Sequence, residues 1–118
     1  MTTQTDRSAI EVFKHHAQAM VAGELDEIVA DYADDALFIT PNGVLHGKDG
    51  VRAGFTKLFG ELPNPRFDVR TRILEGDVLF LEWSATADGV RADDGVETFL
   101  VRDGQIVLQT VHYTPQSA

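Results

Sequence analysis

Before Pro63 the apolar residues of this chain recur mostly at helical spacing, and after Pro65 they alternate with polar residues at a period of two. That division constrains the fold more than any single motif. Helices followed by a run of strands describe an α+β domain, with helices set against an antiparallel meander rather than interleaved with parallel strands.

In the first half, Ile10, Phe13, Ala17, Met20 and Val21 form one helical stripe, with Asp6 or Ser8 as cap and Gly23 as stop. Leu25, Ile28, Val29 and Tyr32 continue as a second, short helix. Residues 36–40 read as a strand stopped by the turn sequence Pro41-Asn42-Gly43. A third helix follows Gly47, with Val51, Phe55, Leu58 and Phe59 on one side, and Pro63 and Pro65 close it.

In the second half, Phe67, Val69, Thr71 and Ile73 alternate with Arg66, Asp68, Arg70 and Arg72, the pattern of a strand with one wet face. The arginines fit either an anion site or a solvated face. Glu75-Gly76-Asp77 is a hairpin turn, and residues 78–87 form a strand that is apolar on both faces. Residues 88–95 are expected to be a long, mobile reversal. Residues 97–102 and 105–113 pair about Asp103-Gly104, a two-residue hairpin signal. Helices cover one face of such a meander, and a second subunit is the simplest cover for the other, so a homodimer is expected.

A length of 118 residues fits a single domain over residues 1–118. Cysteine is absent, which rules out disulfides and thiolate metal sites and fits a reducing cytoplasm. The net charge of −9 argues against nucleic acid and anionic membranes as partners. No apolar run approaches the roughly 20 residues of a membrane span, and the first residues lack the pattern of a signal peptide.

Four stretches carry a family resemblance: residues 23–29 (GELDEIV), 32–36 (YADDA), 46–51 (HGKDGV) and 99–106 (FLVRDGQI). Their order and spacing resemble the nuclear transport factor 2-like superfamily, especially its SnoaL-like and ketosteroid-isomerase-like branches. The resemblance implies a cone-shaped barrel, in which a curved antiparallel sheet and three N-terminal helices surround a ligand-sized pocket. It does not select an activity, because this fold hosts enzymes and plain binding modules alike.

In ketosteroid isomerase a carboxylate base works with a phenol and a protonated carboxylic acid as hydrogen-bond donors. The resemblance puts the base position at Thr40, whose hydroxyl cannot accept a proton near neutral pH, so steroid-type isomerisation is not expected. It puts the phenol position at His16, at the edge of the first helix's stripe, while His15 faces away. There His16 either donates to an oxyanion or is a boundary histidine bonded to backbone or water. The neutral-acid position falls at Glu97, which alternation places with Phe99 and Val101. Glu97 is then either a carboxyl in an apolar cone, its pKa raised by desolvation, or a solvated group at an open strand end.

Other candidates for the pocket are Tyr32, reaching its floor from the second helix, and Phe55, Phe59 and Phe99 on its walls. Trp83 is core or lining, and Glu82 is a second pocket carboxylate or an interface group. His112 and Tyr113 lie on opposite faces of the last strand, so one of them at most should face the pocket. The histidines at 15, 16, 46 and 112 have no metal-ligand spacing, and neither a nucleophile elbow nor a phosphate loop is present, so no metal or cofactor is expected. The expected function is therefore binding of a small, mostly apolar carbonyl or hydroxyl compound. His16 and Glu97 would support a cofactor-free isomerase, cyclase or dehydratase step, and the alternative is a non-catalytic ligand-binding or dimerisation module.

Overall fold

The computed structural model describes residues 7–118, which form three helices and seven strands. Helix α1 (Ala9–Ala22) starts on a capping box between Ser8 and Glu11 and ends at Gly23, whose φ of 67° suits a left-handed cap. Asp6, the other candidate cap, lies outside the described residues. Helix α2 (Leu25–Ala30) is followed directly by β1 (Tyr32–Thr40), which forms a hairpin with β2 (Gly43–His46), and α3 (Gly47–Glu61) follows. Strands β3 (Arg66–Glu75), β4 (Val78–Ala87), β5 (Val90–Arg102) and β6 (Gln105–His112) form the meander, and the short β7 (Gln116–Ser117) returns to β5.

The α+β class and the helices-on-curved-sheet architecture are those expected. The sheet order is β2-β1-β6-β5-β4-β3, antiparallel throughout except that β1 runs parallel to β6. Strands β2 and β3 remain as edges, so the cone is open rather than closed into a barrel. Helices α1 and α3 cover the concave face.

Three bulges bend the β3–β6 meander, and the β1–β6 pairing has a further register shift between Tyr32 and Leu37. Arg70 is the extra residue of β3 against β4, Asp93 and Asp94 face Ser84 on β4, and Val107 is the extra residue of β6 against β5. The Arg70 guanidinium donates to the Asp93 carbonyl at 2.8 Å and joins two of the bulges. All three arginines of β3 are exposed, and Arg70 has a structural partner.

Several sequence expectations are corrected. The long reversal at 88–95 is a tight turn at Asp88-Gly89, after which β5 begins at Val90, so Arg91, Asp93 and Asp94 lie on a strand. Tyr32 opens β1 and does not belong to α2. The bulge at Arg70 breaks the single apolar face expected of β3: Phe67 and Val69 lie opposite Ala85 and Trp83 of the inner face, though Val69 is exposed at this edge, and Ile73 pairs with Phe80 on the outer face and is 56% exposed. Helix α1 is also rotated from its expected seat. Val12, His16 and Ala19 are buried and Phe13 and Met20 pack against them, whereas Ile10 and Val21 face solvent.

Candidate functional site

The inner face is built by β-ladder pairing. Phe99 on β5 lies opposite Gln109 on β6, and Gln109 lies beside Phe38 on the parallel strand β1. Glu97, two residues before Phe99, shares this face and lies opposite Val111. The Val107 bulge brings Gln109 onto the same side as Ile106, an odd number of residues away, so simple alternation from Ile106 would have sent its amide outward.

A polar chain runs through this apolar face. The Tyr32 hydroxyl donates to Gln109 Oε1, and Gln109 Nε2 donates to Glu97 Oε2 at 3.0 Å. Tyr32 and Gln109 are fully buried and Glu97 is partly buried. Desolvation raises the Glu97 pKa to about 7, and the hydrogen bond from Gln109 opposes the rise. Burial, with the Glu97 charge next, also pushes the Tyr32 phenol well up, so it stays a donor.

His16 sits in the centre of the packing. Its ring lies 5.1 Å from Phe99, 5.9 Å from Phe55 and 6.1 Å from Tyr32, in tilted or edge-on geometry. Burial lowers its pKa to about 4, so the imidazole is neutral near pH 7. Among the described residues its Nδ1 has no hydrogen-bond partner. His16 is therefore a buried residue rather than one at the helix boundary. No hydrogen bond joins it to Glu97; both flank Phe99 and the Gln109 chain.

The open space lies one layer further out. A cleft of about 380 Å³ separates α3 from the β1–β2 turn and the end of β6. Buried Phe38, Leu58 and Val111 contribute to its lining, as do the polar groups of Thr40, Glu61 and Tyr113. Its size falls within the range of small-molecule pockets. Val111 is the ladder neighbour of Glu97 and Phe38 that of Gln109, so the cleft and the polar chain share strand neighbours, while Glu97 and His16 themselves do not line the cleft.

The candidate residues divide accordingly. Thr40, His112 and Tyr113 border the cleft; both of the last pair do so because β6 ends at His112 and its alternation no longer applies to Tyr113. Tyr32, Phe55 and Phe99 are buried in the core, and Phe59 packs against it. Trp83 is core, lying flat on Gly95, with Phe67 and Tyr113 against its ring and its Nε1 unpartnered among the described residues. Glu82 is exposed on the outer face, because it pairs with Val96 while Leu81 pairs with Glu97, so the two carboxylates cannot act together.

Two polar groups of this region were not legible in the sequence. Gln109 was hidden by the bulge, and Glu61 by its place at the end of α3, where only the Tyr113 hydroxyl, donating to Glu61 Oε1 at 2.6 Å, marks it. Among the described residues no group of three or more metal-ligating side chains is gathered, and no helix is long and apolar enough to cross a membrane.

Comparison with known proteins agrees with this geometry. Residues 13–109 match the SnoaL-like domain. An NTF-2 like protein of unknown function from Burkholderia xenovorans LB400 is 29% identical, with 93% of this chain and 86% of that one covered and a TM-score of 0.72. A proposed ketosteroid isomerase from Kribbella flavida DSM 17836 is 17% identical, with 98% and 81% covered and a TM-score of 0.72. AclR, a proposed hydroxylase from Streptomyces galilaeus, is 15% identical, with 90% and 88% covered and a TM-score of 0.75. At these last two identities the likeness is one of fold. No curated protein matches the chain.

Proposed function

The chain belongs to the SnoaL-like domain family, and from that premise we propose that it binds a small, mostly apolar molecule in the cleft beside α3 and acts on its oxygen with Glu97. The observation that carries this reading is the placement of Glu97. Its carboxyl sits on the inner face with one oxygen held by Gln109, and its pKa of about 7 keeps much of it protonated near neutral pH. A neutral carboxylic acid in an apolar setting is a hydrogen-bond donor and general acid for a carbonyl or hydroxyl oxygen. Neutral His16, whose ring packs against Phe99, is the second polar group for that oxygen. The chemistry that fits is a cofactor-free isomerase, cyclase or dehydratase step.

A thermal-shift screen of wild type against small apolar ketones and alcohols tests the reading, with the His16→Leu/Glu97→Gln double variant alongside. A ligand at 100 times its dissociation constant should add about 2.7 kcal/mol of stability. Compounds that raise the wild-type melting temperature should then be assayed for turnover, which the double variant should lack. Equal turnover by the folded double variant would remove both residues from the mechanism.

Thr40 favours a second reading, a non-catalytic binding module. It stands at the expected base position, and its hydroxyl accepts from the Asn42 amide at 3.1 Å, leaving no carboxylate there. Binding by wild type without turnover of any bound compound would support that module.

The outer sheet face, we further propose, meets a second copy of the chain. Leu37, Val44, Ile73 and Val78 on that face are each at least 37% exposed. Light scattering should give a dimer mass for wild type and a monomer for Ile73→Asp/Val78→Asp; a wild-type monomer at high concentration would refute this.

A further inference from the structure

We propose that the Glu61–Tyr113 pair is the recognition element of the cleft and that it selects a neutral ligand presenting a hydroxyl group beside an apolar body. The inference rests on reading the cleft as a ligand site and adds which functional group it takes.

Glu61 ends α3, and Tyr113 follows β6. Both are partly buried and both line the cleft, with apolar Phe38, Leu58 and Val111 beside them. The Tyr113 hydroxyl has one proton and gives it to Glu61 Oε1 at 2.6 Å. What the pair still offers is acceptors: Glu61 Oε2 and the remaining lone pair of the phenol oxygen. A ligand hydroxyl has a proton to donate to either of them. A ketone has only lone pairs, which would face lone pairs. Donors elsewhere on the lining, the partly buried Thr40 hydroxyl and the exposed Asn42, Lys57 and His112, are not part of the pair, so the preference for a hydroxyl is set by the Glu61–Tyr113 acceptors alone.

Charge separates a hydroxyl from an ammonium. Lys57 lies one helical turn before Glu61 and lines the same cleft without an ion pair to it, so the cleft already carries one cation. A second cation would meet Lys57 as well as Glu61, whereas a neutral hydroxyl meets no such opposition. The outward order is then apolar floor, acceptor pair, charged rim, which suits a compact apolar body with one hydroxyl directed toward Glu61, separate from any oxygen on which Glu97 acts.

The test uses three probes of one shape, 4-methylcyclohexanol, 4-methylcyclohexanone and 4-methylcyclohexylamine, titrated into the full chain and followed by amide shifts of Gly54, Val111 and Tyr113. One hydrogen bond to a charged acceptor predicts that the alcohol binds wild type about tenfold more tightly than the ketone. Glu61→Leu should raise the alcohol's Kd by about tenfold and leave the ketone's within about twofold. Glu61→Gln keeps an acceptor for Tyr113 and should show a smaller loss of the same sign, so it decides the matter if the Leu variant does not fold.

Equal binding of alcohol and ketone, or a preference that survives both substitutions, overturns the inference and leaves the cleft a ligand site. Tightest binding by the amine overturns the hydroxyl assignment in favour of a cation site. Absence of shifts with all three probes overturns the cleft reading and this inference together.

Discussion

Gln109 Nε2 donates to Glu97 Oε2 across 3.0 Å between neighbouring strands, while Oε1 of the same amide accepts from the Tyr32 hydroxyl. One buried side chain therefore satisfies two groups that would otherwise be stranded. Gln109→Leu should remove the bond that favours ionised Glu97 and push its pKa above about 7. It should also destabilise the fold by about 1–3 kcal/mol, since Tyr32 keeps a buried hydroxyl without a partner. Carboxyl-carbon NMR titration and urea unfolding read these two effects separately.

Glu97 and His16 should pull the pH dependence of stability in opposite directions. Glu97 is raised from 4.5 to about 7, so the folded state holds a proton that the unfolded chain has released. Its contribution is full below 4.5 and is lost as pH rises to about 7. His16 is lowered from 6.5 to about 4, so its contribution is full above 6.5 and is lost as pH falls toward about 4. Between these limits the slopes oppose. Relative to wild type, Glu97→Gln should gain stability with rising pH and His16→Leu should lose it, each by on the order of 1–3 kcal/mol. Urea melts in half-unit pH steps check this, and profiles parallel to wild type would show that neither group titrates abnormally.

The neighbouring histidine has a different fate. His15 Nδ1 lies 2.7 Å from buried Asp31, which also binds Arg7 at 2.8 Å, and Arg7 donates onward to the Gly104 carbonyl at 2.9 Å. The bond to Asp31 is the largest cause raising the His15 pKa above 6.5. The stability it adds is full below 6.5 and fades as pH rises through the raised value. Asp31→Asn should return the His15 pKa toward 6.5 and weaken the contacts among Arg7, His15 and Asp31, visible as an imidazole titration whose midpoint lies at higher pH in wild type than in the variant.

Gly95 is required by contact rather than by backbone conformation. A Cβ there would run into the Trp83 ring. Gly95→Ala should displace the indole and cost about 1–3 kcal/mol, with a changed near-ultraviolet circular dichroism signal. Unchanged stability and spectrum would mean that the ring has room to move.

The order of elements, most turns and the inward direction of Glu97 were readable because period and turn chemistry are local properties. What escaped depends on partners distant in sequence. The extra residues Arg70 and Val107 reverse the faces of β3 and β6, and nothing within either strand announces them. The rotation of α1 follows from rings on α3, β1 and β5 that accept His16 more readily than Ile10 or Val21 would suggest. Strand β2 is only four residues long and exists by pairing with β1.

The parallel β1–β6 pairing also carries a consequence for how the chain assembles. The meander β3 to β6 is joined by short hairpins, whereas Tyr32 must find Gln109 across 77 residues of sequence. Closing that loop is slower than forming local turns. The expected transition state has an ordered meander and an undocked first strand: Phe99→Leu should slow folding, while Phe38→Leu should chiefly speed unfolding. The polar chain that holds Glu97 in its place would then be among the last contacts made, so an acidic site forms only in molecules that have finished folding.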